Sequence, residues 1–341
     1  IYIGKLVFLS TLINTVNAQN LNLSWAKRFG GPNPDIGKSI FVDLNGNVYT
    51  TGNFRSTVDF DPGPGTFNLT SIGPSDIFIS KLDASGNFIW AKQIGGAIFN
   101  NQSYSIAVDA YGNVYTTGRF YGTTDFDPGA GTLNLTSVQF DVFVSKLDVS
   151  GNFIWAKQFS GIYNEEGHSI AVDGNGNVYT TGFFNETADF DPGPGTYNLT
   201  NTGGPGTNDI FVSKLDASGN FVWAKKMGGI NSDYGLSLDL DANANVYTSG
   251  IFYGTSDFDP GPGTYNLTSL SADHFISKLD ASGNFVWAKQ LGGASGFISH
   301  CITVDANGNV YTTSNFVGTA DFDPGPGTYN LISNGNEDIF V

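Results

Sequence analysis

A block of about 65 residues recurs five times along this 341-residue chain. Each copy is marked by a Trp-Ala-Lys segment and by an Asp-Phe-Asp-Pro-Gly segment, and both markers recur with the same period. The tryptophans are Trp25, Trp90, Trp155, Trp223 and Trp287. Two independent markers with one period identify an array whose units bury their apolar faces against their neighbours.

Each unit is predicted to form four β-strands, and the pattern is clearest in the third copy. Its strands are predicted at residues 169–173, 178–181, 209–215 and 221–225. Short Asp-x-x-Gly-Asn turns join the first strand to the second and the third to the fourth, because Asp accepts hydrogen bonds from nearby backbone amides and Gly or Asn tolerates positive φ. A long connection, residues 183–208, joins the second strand to the third. Residues 19–341 show no helical periodicity.

Four antiparallel strands per unit without helices predict an all-β fold, a β-propeller of four-stranded antiparallel blades. The Trp strand is expected to be outermost and the short first strand to lie nearest the hub. Five visible repeats allow two arrangements. Either the first Trp strand completes the last blade of a closed five-blade ring, or the chain is a fragment of a larger propeller and its units form an open arc.

The composition narrows the choice of partners. The net charge is −16, with 31 acidic and 15 basic residues, which argues against nucleic acid because phosphate binding needs a Lys/Arg surface. The acidic surface is compatible with divalent cations.

The single cysteine, Cys301, stands where the other copies have Ser39, Ser105, Ser169 and Ser237. It is therefore expected to be a small strand residue rather than a nucleophile.

Residues 1–18 lie outside the array and resemble a secretory signal peptide. Lys5 precedes an apolar run, and Ala18 offers a cleavage site. The run is shorter than the ~20 residues that a membrane span requires, so no transmembrane segment is expected. The predicted organisation is a signal peptide at 1–18 and a propeller domain at 19–341, in a chain expected to be a fragment of a longer secreted or cell-surface protein.

A calcium site in each Asp-Phe-Asp-Pro-Gly segment is the first functional hypothesis. Carboxylates at positions i and i+2 of an extended segment point the same way, and Ca²⁺ prefers oxygen ligands. The candidate ligands are Asp59, Asp61, Asp125, Asp127, Asp189, Asp191, Asp257, Asp259, Asp321 and Asp323. The alternative is that these residues cap turns set by Pro and Gly.

Residues that break the repeat supply the second hypothesis. Glu165, Glu166 and His168 are predicted to share one blade-to-blade loop, where they could bind a ligand or a metal or carry out acid–base chemistry. The alternative is a solvated loop. His274 and His300 do not recur in the other copies, which argues against a three-histidine metal site.

Two phrases resemble a known family. They are Asp-Ile-Phe-Val-Ser-Lys-Leu-Asp-Ala-Ser-Gly-Asn-Phe-Val-Trp-Ala-Lys (209–225) and Val-Asp-Ala-Asn-Gly-Asn-Val-Tyr-Thr-Thr (304–313). They resemble the bacterial seven-bladed β-propeller, or SBBP, repeats, in particular the Bacteroidetes-type secreted forms. The resemblance implies an extracellular or cell-surface protein of bacterial origin and brings no catalytic residues with it.

The sequence therefore predicts a non-enzymatic secreted or cell-surface propeller that serves as a binding or adhesion scaffold, or as a spacer. The expected partner is an extracellular glycan or a protein. The alternative is a propeller enzyme acting on polysaccharide, a glycosidase or lyase, with its site on the face that carries the long loops. Calcium is the one cofactor that the sequence suggests.

Overall fold

The computed structural model describes residues 23–96, 100–292 and 301–341. All regular elements in these ranges are β-strands, and every strand ladder is antiparallel, which confirms the predicted all-β class. No helix in the described part of the chain has the length and apolarity to span a membrane. The predicted signal peptide at residues 1–18 lies outside the described residues.

The strands group into five blades. Blade 1 contains β1 (Ile36–Val42), β2 (Val48–Phe54), β3 (Thr57–Asp59), β4 (Asn68–Thr70), β5 (Asp76–Leu82) and β6 (Phe88–Ile94). Blade 2 contains β7 (Gln102–Val108), β8 (Val114–Asp125), β9 (Asn134–Leu147) and β10 (Phe153–Gly161). Blade 3 contains β11 (Glu166–Val172), β12 (Val178–Asn185), β13 (Thr187–Asp189), β14 (Asn198–Thr200), β15 (Asn208–Leu215) and β16 (Phe221–Gly229). Blade 4 contains β17 (Tyr234–Leu240), β18 (Val246–Asp257), β19 (Asn266–Leu279) and β20 (Phe285–Leu291). Blade 5 contains β21 (Cys301–Val304), β22 (Val310–Asp321) and β23 (Asn330–Phe340).

Each complete blade is a four-stranded meander, in the order β1-β2-β5-β6 for blade 1. The first strands of successive blades pack on one another, which places them on the inside of the array, and the Trp strands lie outermost. Both placements agree with the sequence prediction.

The tight turns form as the Asp-x-x-Gly-Asn pattern predicts. In blade 1, Asp43 Oδ1 accepts the N–H groups of Asn45 and Asn47, both at 2.9 Å. Its Oδ2 accepts the Asn47 side-chain amide at 2.8 Å and the Tyr49 hydroxyl at 3.2 Å. Gly46 completes the turn with φ of 80°, a value that costs glycine little. One carboxylate thus satisfies the turn and also holds a core tyrosine.

The long connection is more ordered than the sequence suggested. Residues predicted as an irregular loop instead continue the second and third strands into a hairpin, so that β8 and β9 run for 12 and 14 residues. In blades 1 and 3 a short break separates the extension from the main strands. The extension then forms a pair of short strands, β3–β4 in blade 1 and β13–β14 in blade 3. The Asp-Phe-Asp-Pro-Gly segment follows the outgoing strand and forms the tip of the hairpin.

Adjacent blades are joined at the hub by a repeated hydrogen bond, termed here the serine link. In each case a serine hydroxyl on one first strand accepts a backbone N–H from the first strand of the next blade. The four pairs are Ser39 with Ile106 (3.3 Å), Ser105 with Ile170 (3.3 Å), Ser169 with Leu238 (3.1 Å) and Ser237 with Ile302 (3.2 Å). The small residue at this position is therefore an acceptor that joins consecutive blades.

The core fills the spaces between blades. Tyr115 and Trp155 of blade 2 pack edge to face with ring centroids 6.2 Å apart, in one cluster with Ile170 and Phe211 of blade 3. Farther out, the Trp indole N–H reaches the next blade: Trp90 Nε1 donates to the carbonyl oxygen of Val149 at 3.2 Å. Each blade therefore buries its apolar face against its neighbour, as a repeat array requires.

The described strands form an open arc rather than a closed ring. Blade 5 has three strands, in the order β21-β22-β23, and none of them pairs with blade 1. The first Trp segment packs on blade 1, where Trp25 Nε1 donates to the carbonyl oxygen of Ala84 at 3.0 Å and Gly30 forms a β-bridge with Asp59. Of the two arrangements left open by the sequence, the structure has the arc.

Candidate functional site

Residues that break the repeat meet where blades 2 and 3 join, at the end of the inner strands opposite the tight turns. They come from β7, β8, β9 and β11, and we term them the joint cluster. Its members are Gln102, Tyr104, Arg119, Phe140, Glu166 and His168. At the positions of Arg119 and Glu166, blade 4 has Ile251 and Tyr234.

An ion pair and a stack of rings hold the cluster together. Arg119 Nη1 pairs with Glu166 Oε1, and the guanidinium lies over the Phe140 ring, 4.2 Å from its centroid. His168 Nε2 lies 3.3 Å from Glu166 Oε2. The His168 ring stacks on Tyr104, with centroids 4.9 Å apart and 5° between the planes. The arginine, the histidine and the tyrosine all keep partial exposure, so the cluster is ordered and also reachable from solvent.

Charge complementarity sets the protonation of the cluster. Burial alone would raise the pKa of Glu166, but the hydrogen bond from His168 and the charge of Arg119 outweigh it and lower the pKa. Burial and the Glu166 charge raise the pKa of Tyr104, whose hydroxyl donates to Gln102 Oε1 at 2.6 Å. Glu166 is therefore an anion and Tyr104 a neutral phenol across the physiological range.

The structure corrects the predicted loop. Glu166 and His168 belong to strand β11, where residues two apart share a face, and Glu165 precedes the strand and turns to the opposite side. The Glu165 backbone N–H donates to the Phe140 carbonyl oxygen at 2.7 Å, and its side chain is fully buried. The three residues are thus not one solvated group: two belong to the joint cluster and one to the interior of the joint.

Inside the joint, Glu165 faces the buried carboxyl of Asp141. Burial and the neighbouring Asp141 charge raise the pKa of Glu165 to about 10, and the Gly161 amide offsets only part of this. Burial likewise raises the pKa of Asp141, to about 6. Glu165 is therefore protonated at neutral pH, beside the Asp141 carboxyl.

The equivalent position in the next joint shows what a shorter acid does there. Asp233 Oδ2 accepts the Gly229 N–H at 2.8 Å and the Ser256 hydroxyl at 2.9 Å, while Oδ1 accepts the Tyr253 N–H at 3.0 Å. Burial nevertheless raises its pKa to about 7. In blades 3 and 4 the residue before the first strand is thus a buried acid in the interior of the joint, and Glu165 has the longer side chain of the two.

The acids of the Asp-Phe-Asp-Pro-Gly tips accept backbone hydrogen bonds. Asp59 Oδ1 accepts the N–H groups of Asp61 at 3.0 Å and Phe67 at 2.8 Å, and Asp61 Oδ1 accepts that of Gly63 at 2.8 Å. A Cβ added to Gly65 would lie 2.2 Å from Asp61 Oδ2, so the second glycine of Pro-Gly-x-Gly is required by close approach. The turn-capping role proposed as the alternative is present in all five copies.

The same tips line a groove that recurs between blades on the rim. Between blades 4 and 5 it is lined by Thr268, Asp273, Gln290, Asp321 and Asp323. The groove between blades 2 and 3 is lined by the matching residues, and the groove between blades 1 and 2 by all of them except the one that matches Asp273. Among the described residues, no three His, Cys, Asp or Glu side chains are placed to hold one metal ion. Each tip offers two carboxylates, and calcium binding there stays a prediction.

Parts of the chain are similar to two known families of repeats. The family model described as a β-propeller repeat, SBBP, matches residues 24–53, 154–182 and 286–315. Three segments of the chain are thus similar to SBBP β-propeller repeats. Each matched segment runs from a Trp segment into the first two strands of the following blade. A second model, described as a sperm-tail PG-rich repeat, matches residues 191–224 and 259–291, each beginning at a Pro-Gly tip.

Two curated relatives are much longer than this chain. An uncharacterized WD repeat-containing protein, L264 of Acanthamoeba polyphaga mimivirus, is 25% identical over 340 residues, covering 83% of this chain and 24% of the relative. The regulatory protein FlaEY of Caulobacter vibrioides is 25% identical over 237 residues, covering 66% and 24%. The chain thus spans about a quarter of each relative.

A solved structure was also found to be similar. The WD40 domain of Neurospora crassa Pan2 has a TM-score of 0.35 at 10% identity, with 84% of this chain and 86% of that chain covered.

Proposed function

We propose that this chain is a non-catalytic binding scaffold of the cell exterior, whose joint cluster contacts a protein partner. The observation that carries the proposal is the break in periodicity. The frame repeats from blade to blade, while Arg119, Glu166 and His168 occur together at one joint only among the described blades. A rigid repeated frame with one distinctive patch suits binding, since function belongs to sites placed on a fold.

The chemistry of the patch favours a protein over other partners. Arg and Tyr dominate the energetic centres of protein interfaces, and here a guanidinium lies over Phe140 beside the Tyr104–His168 stack. The loop that enters β11 adds Ile162 and Tyr163, which are 65% and 40% exposed. Exposed apolar side chains thus surround the Arg119–Glu166 ion pair. This arrangement is typical of the energetic centre of a protein interface and the contacts that border it.

A matched pair of variants tests the proposal. Arg119→Ala removes the guanidinium, and Asn315→Ala changes the equivalent residue of blade 5, which lies outside the cluster. Proteins captured from extracts of the source cells would be identified and titrated against wild type and both variants by calorimetry. We expect Arg119→Ala to weaken binding about tenfold or more, a loss typical of a hot-spot arginine.

The Asn315→Ala control should bind as wild type does, and thermal melts of both variants separate lost contacts from lost folding. A glycan array run in parallel distinguishes a glycan partner from a protein partner. Hits that are lost in the Arg119→Ala variant would indicate that the partner of the joint cluster is a glycan rather than a protein. Binding that is equally strong in the Arg119→Ala variant would overturn the cluster as the site.

The enzymatic alternative needs a pair of carboxylates flanking a substrate bond. In the joint cluster Glu166 is the single carboxylate, and it is paired with Arg119. Extracellular placement is supported by the signal pattern at residues 1–18. It is tested by sequencing the N-terminus of the mature protein, which should begin after Ala18.

A further inference from the structure

A row of aromatic side chains extends from the joint cluster across blades 2, 3 and 4. Tyr104 stacks on His168 with ring centroids 4.9 Å apart, and the His168 ring lies 5.6 Å from that of Phe183. Phe183 in turn packs edge to face with Tyr234 of blade 4, at 5.1 Å. Lys38 of blade 1 continues the row, because its Nζ lies over the Tyr104 ring, 5.7 Å from the centroid. We term these five side chains the hub ladder.

The hub ladder is not part of the repeated frame. Its positions change residue type between blades, whereas the core tyrosine of the second strand recurs in all five. The counterparts of Phe183 in the other blades are Asn53, Arg119, Ile251 and Asn315. The same strands form around each of these side chains, so the packing of the frame does not require a ring there. The alignment of the rings therefore points to a surface that serves a ligand.

The middle of the hub ladder presents ring edges to solvent. Tyr104 lies between Lys38 and His168, so both of its faces are covered. His168 lies in the same way between Tyr104 and Phe183. Both rings are nevertheless only half-buried. Because the edge of an aromatic ring carries partial positive charge, this exposed surface favours the oxygen atoms of carbonyl and carboxylate groups.

Two cationic side chains add to this preference. Lys38 ends the ladder on blade 1, and Arg119 of the joint cluster lies beside its middle, where it pairs with the single carboxylate of the cluster, Glu166. The chain as a whole has a net charge of −16, which disfavours a long polyanion such as a nucleic acid. A short acidic segment fits both the local charge and the overall charge.

The linear form of the ladder fits an extended segment of polypeptide. Four steps of 4.9–5.7 Å lead from Lys38 to Tyr234. An extended chain rises ~3.3 Å per residue, so the ladder matches about six residues of such a chain. A segment of that length crosses the inner ends of four blades, whereas the joint cluster alone belongs to two.

We propose that the hub ladder binds an extended acidic segment of the protein partner, which lies across the hub from blade 1 to blade 4. The inference rests on the proposed function, because it names the part of the partner that the joint cluster and the side chains next to it recognise. A carboxylate of the segment pairs with Lys38 at one end of the ladder. An apolar side chain packs against Phe183 and Tyr234 at the other end.

Peptide selection with a charge reversal tests the proposal. Random peptides of about eight residues, displayed on phage, would be selected on the wild-type protein and on the Lys38→Glu variant. We expect the wild-type selection to be enriched in peptides with Asp or Glu toward one end and apolar residues toward the other. The Lys38→Glu selection should replace those acids by Lys or Arg, because the charge that they meet is reversed.

The best wild-type peptide would then be titrated by fluorescence polarisation. Lys38→Glu should weaken its binding about tenfold or more, and Tyr234→Ala, which removes the ring farthest from Lys38, about three- to tenfold. Tyr111→Ala is the matched control, since Tyr111 is an exposed tyrosine of the tight-turn face, and it should bind as wild type does. Thermal melts of each variant separate lost contacts from lost folding.

The outcomes separate this proposal from the proposed function. A captured partner that depends on Arg119, together with peptides that bind Lys38→Glu and Tyr234→Ala as tightly as wild type, would overturn the hub ladder and leave the joint cluster as the site. Selections without an acidic preference, or without any enriched peptide, would overturn the hub ladder too. Peptide binding lost in both ladder variants, beside partner binding that is unchanged in Arg119→Ala, would support the ladder and refute the role of Arg119.

Discussion

Replacing Glu165 by glutamine should stabilise the protein, and the gain should grow with pH. In the folded chain the Glu165 carboxyl is buried against Asp141 and its pKa is raised to about 10. In the unfolded chain a glutamate has a pKa of about 4.3. Because the folded value is the higher one, the contribution of Glu165 to stability is fully present below about pH 4 and is lost as pH rises toward 10. The amide of the introduced glutamine can donate to Asp141 without taking up a proton.

The magnitude follows from the two pKa values. One pKa unit corresponds to about 1.4 kcal/mol, so holding Glu165 protonated costs roughly 1 kcal/mol at pH 5 and about 5 kcal/mol at pH 8. Glu165→Gln avoids this cost. The free energy of unfolding of the variant should therefore exceed that of wild type by about 1 kcal/mol at pH 5 and by up to about 5 kcal/mol at pH 8.

Urea unfolding followed by tryptophan fluorescence, at several pH values between 4 and 9, measures the difference. Glu337→Gln, which changes an exposed glutamate of blade 5, is the control and should follow the wild-type profile. Parallel stability profiles for wild type and Glu165→Gln would refute the reasoning, since they would mean that Glu165 takes up no proton on folding. A less stable variant at pH 8 would refute it as well.

Three further predictions concern the repeated elements. Ala244 has a φ of 59° where other copies have glycine, so Ala244→Gly should stabilise the protein by about 0.5–1 kcal/mol. Gly308 has a φ of 81°, and a Cβ added there has no atom within 4 Å, so Gly308→Ala should destabilise the protein by about 1 kcal/mol through backbone strain alone. Urea unfolding measures both changes. Ser169→Ala removes the acceptor of the buried Leu238 N–H and should cost about 1–2 kcal/mol, with faster hydrogen exchange at that amide. Millimolar calcium should raise the melting temperature if the tips bind it, and Asp61→Asn, which keeps an acceptor for the turn, should reduce that rise; an unchanged wild-type melt would remove the calcium hypothesis.

Local chemistry explains why much of the fold could be predicted. The strands around Val178 and Phe221 and the Asp-capped turns are set by neighbouring residues, and they form where the sequence placed them. The hairpin extensions were missed because strand pairing rather than local residue preference orders them. Thr187 pairs with Thr200 within the extension, and Gly161 at the end of β10 meets Ala188 in the next blade.

The candidate site was only partly predictable for the same reason. The breaks in the repeat identify Glu165, Glu166 and His168. Which of them belong to strand β11, and so which way their side chains face, depends on where β11 begins. The pairing of Glu166 with Phe183 sets that starting point. Arg119 was missed because it lies 47 residues from Glu166 in the chain. Aligning the five copies and asking which end-of-strand positions differ in charge would have pointed to it.

The serine link has a consequence for how such genes change. Every joint uses the same hydroxyl and the same backbone amide, so excising or duplicating one whole unit by recombination between like DNA segments creates no new kind of contact. Losing blade 4 would simply let Ser169 meet the amide of Ile302. Losing blade 2 or 3 would instead remove Arg119 or Glu166 and so break their ion pair. The number of units should therefore vary among related genes by loss or gain of units other than blades 2 and 3.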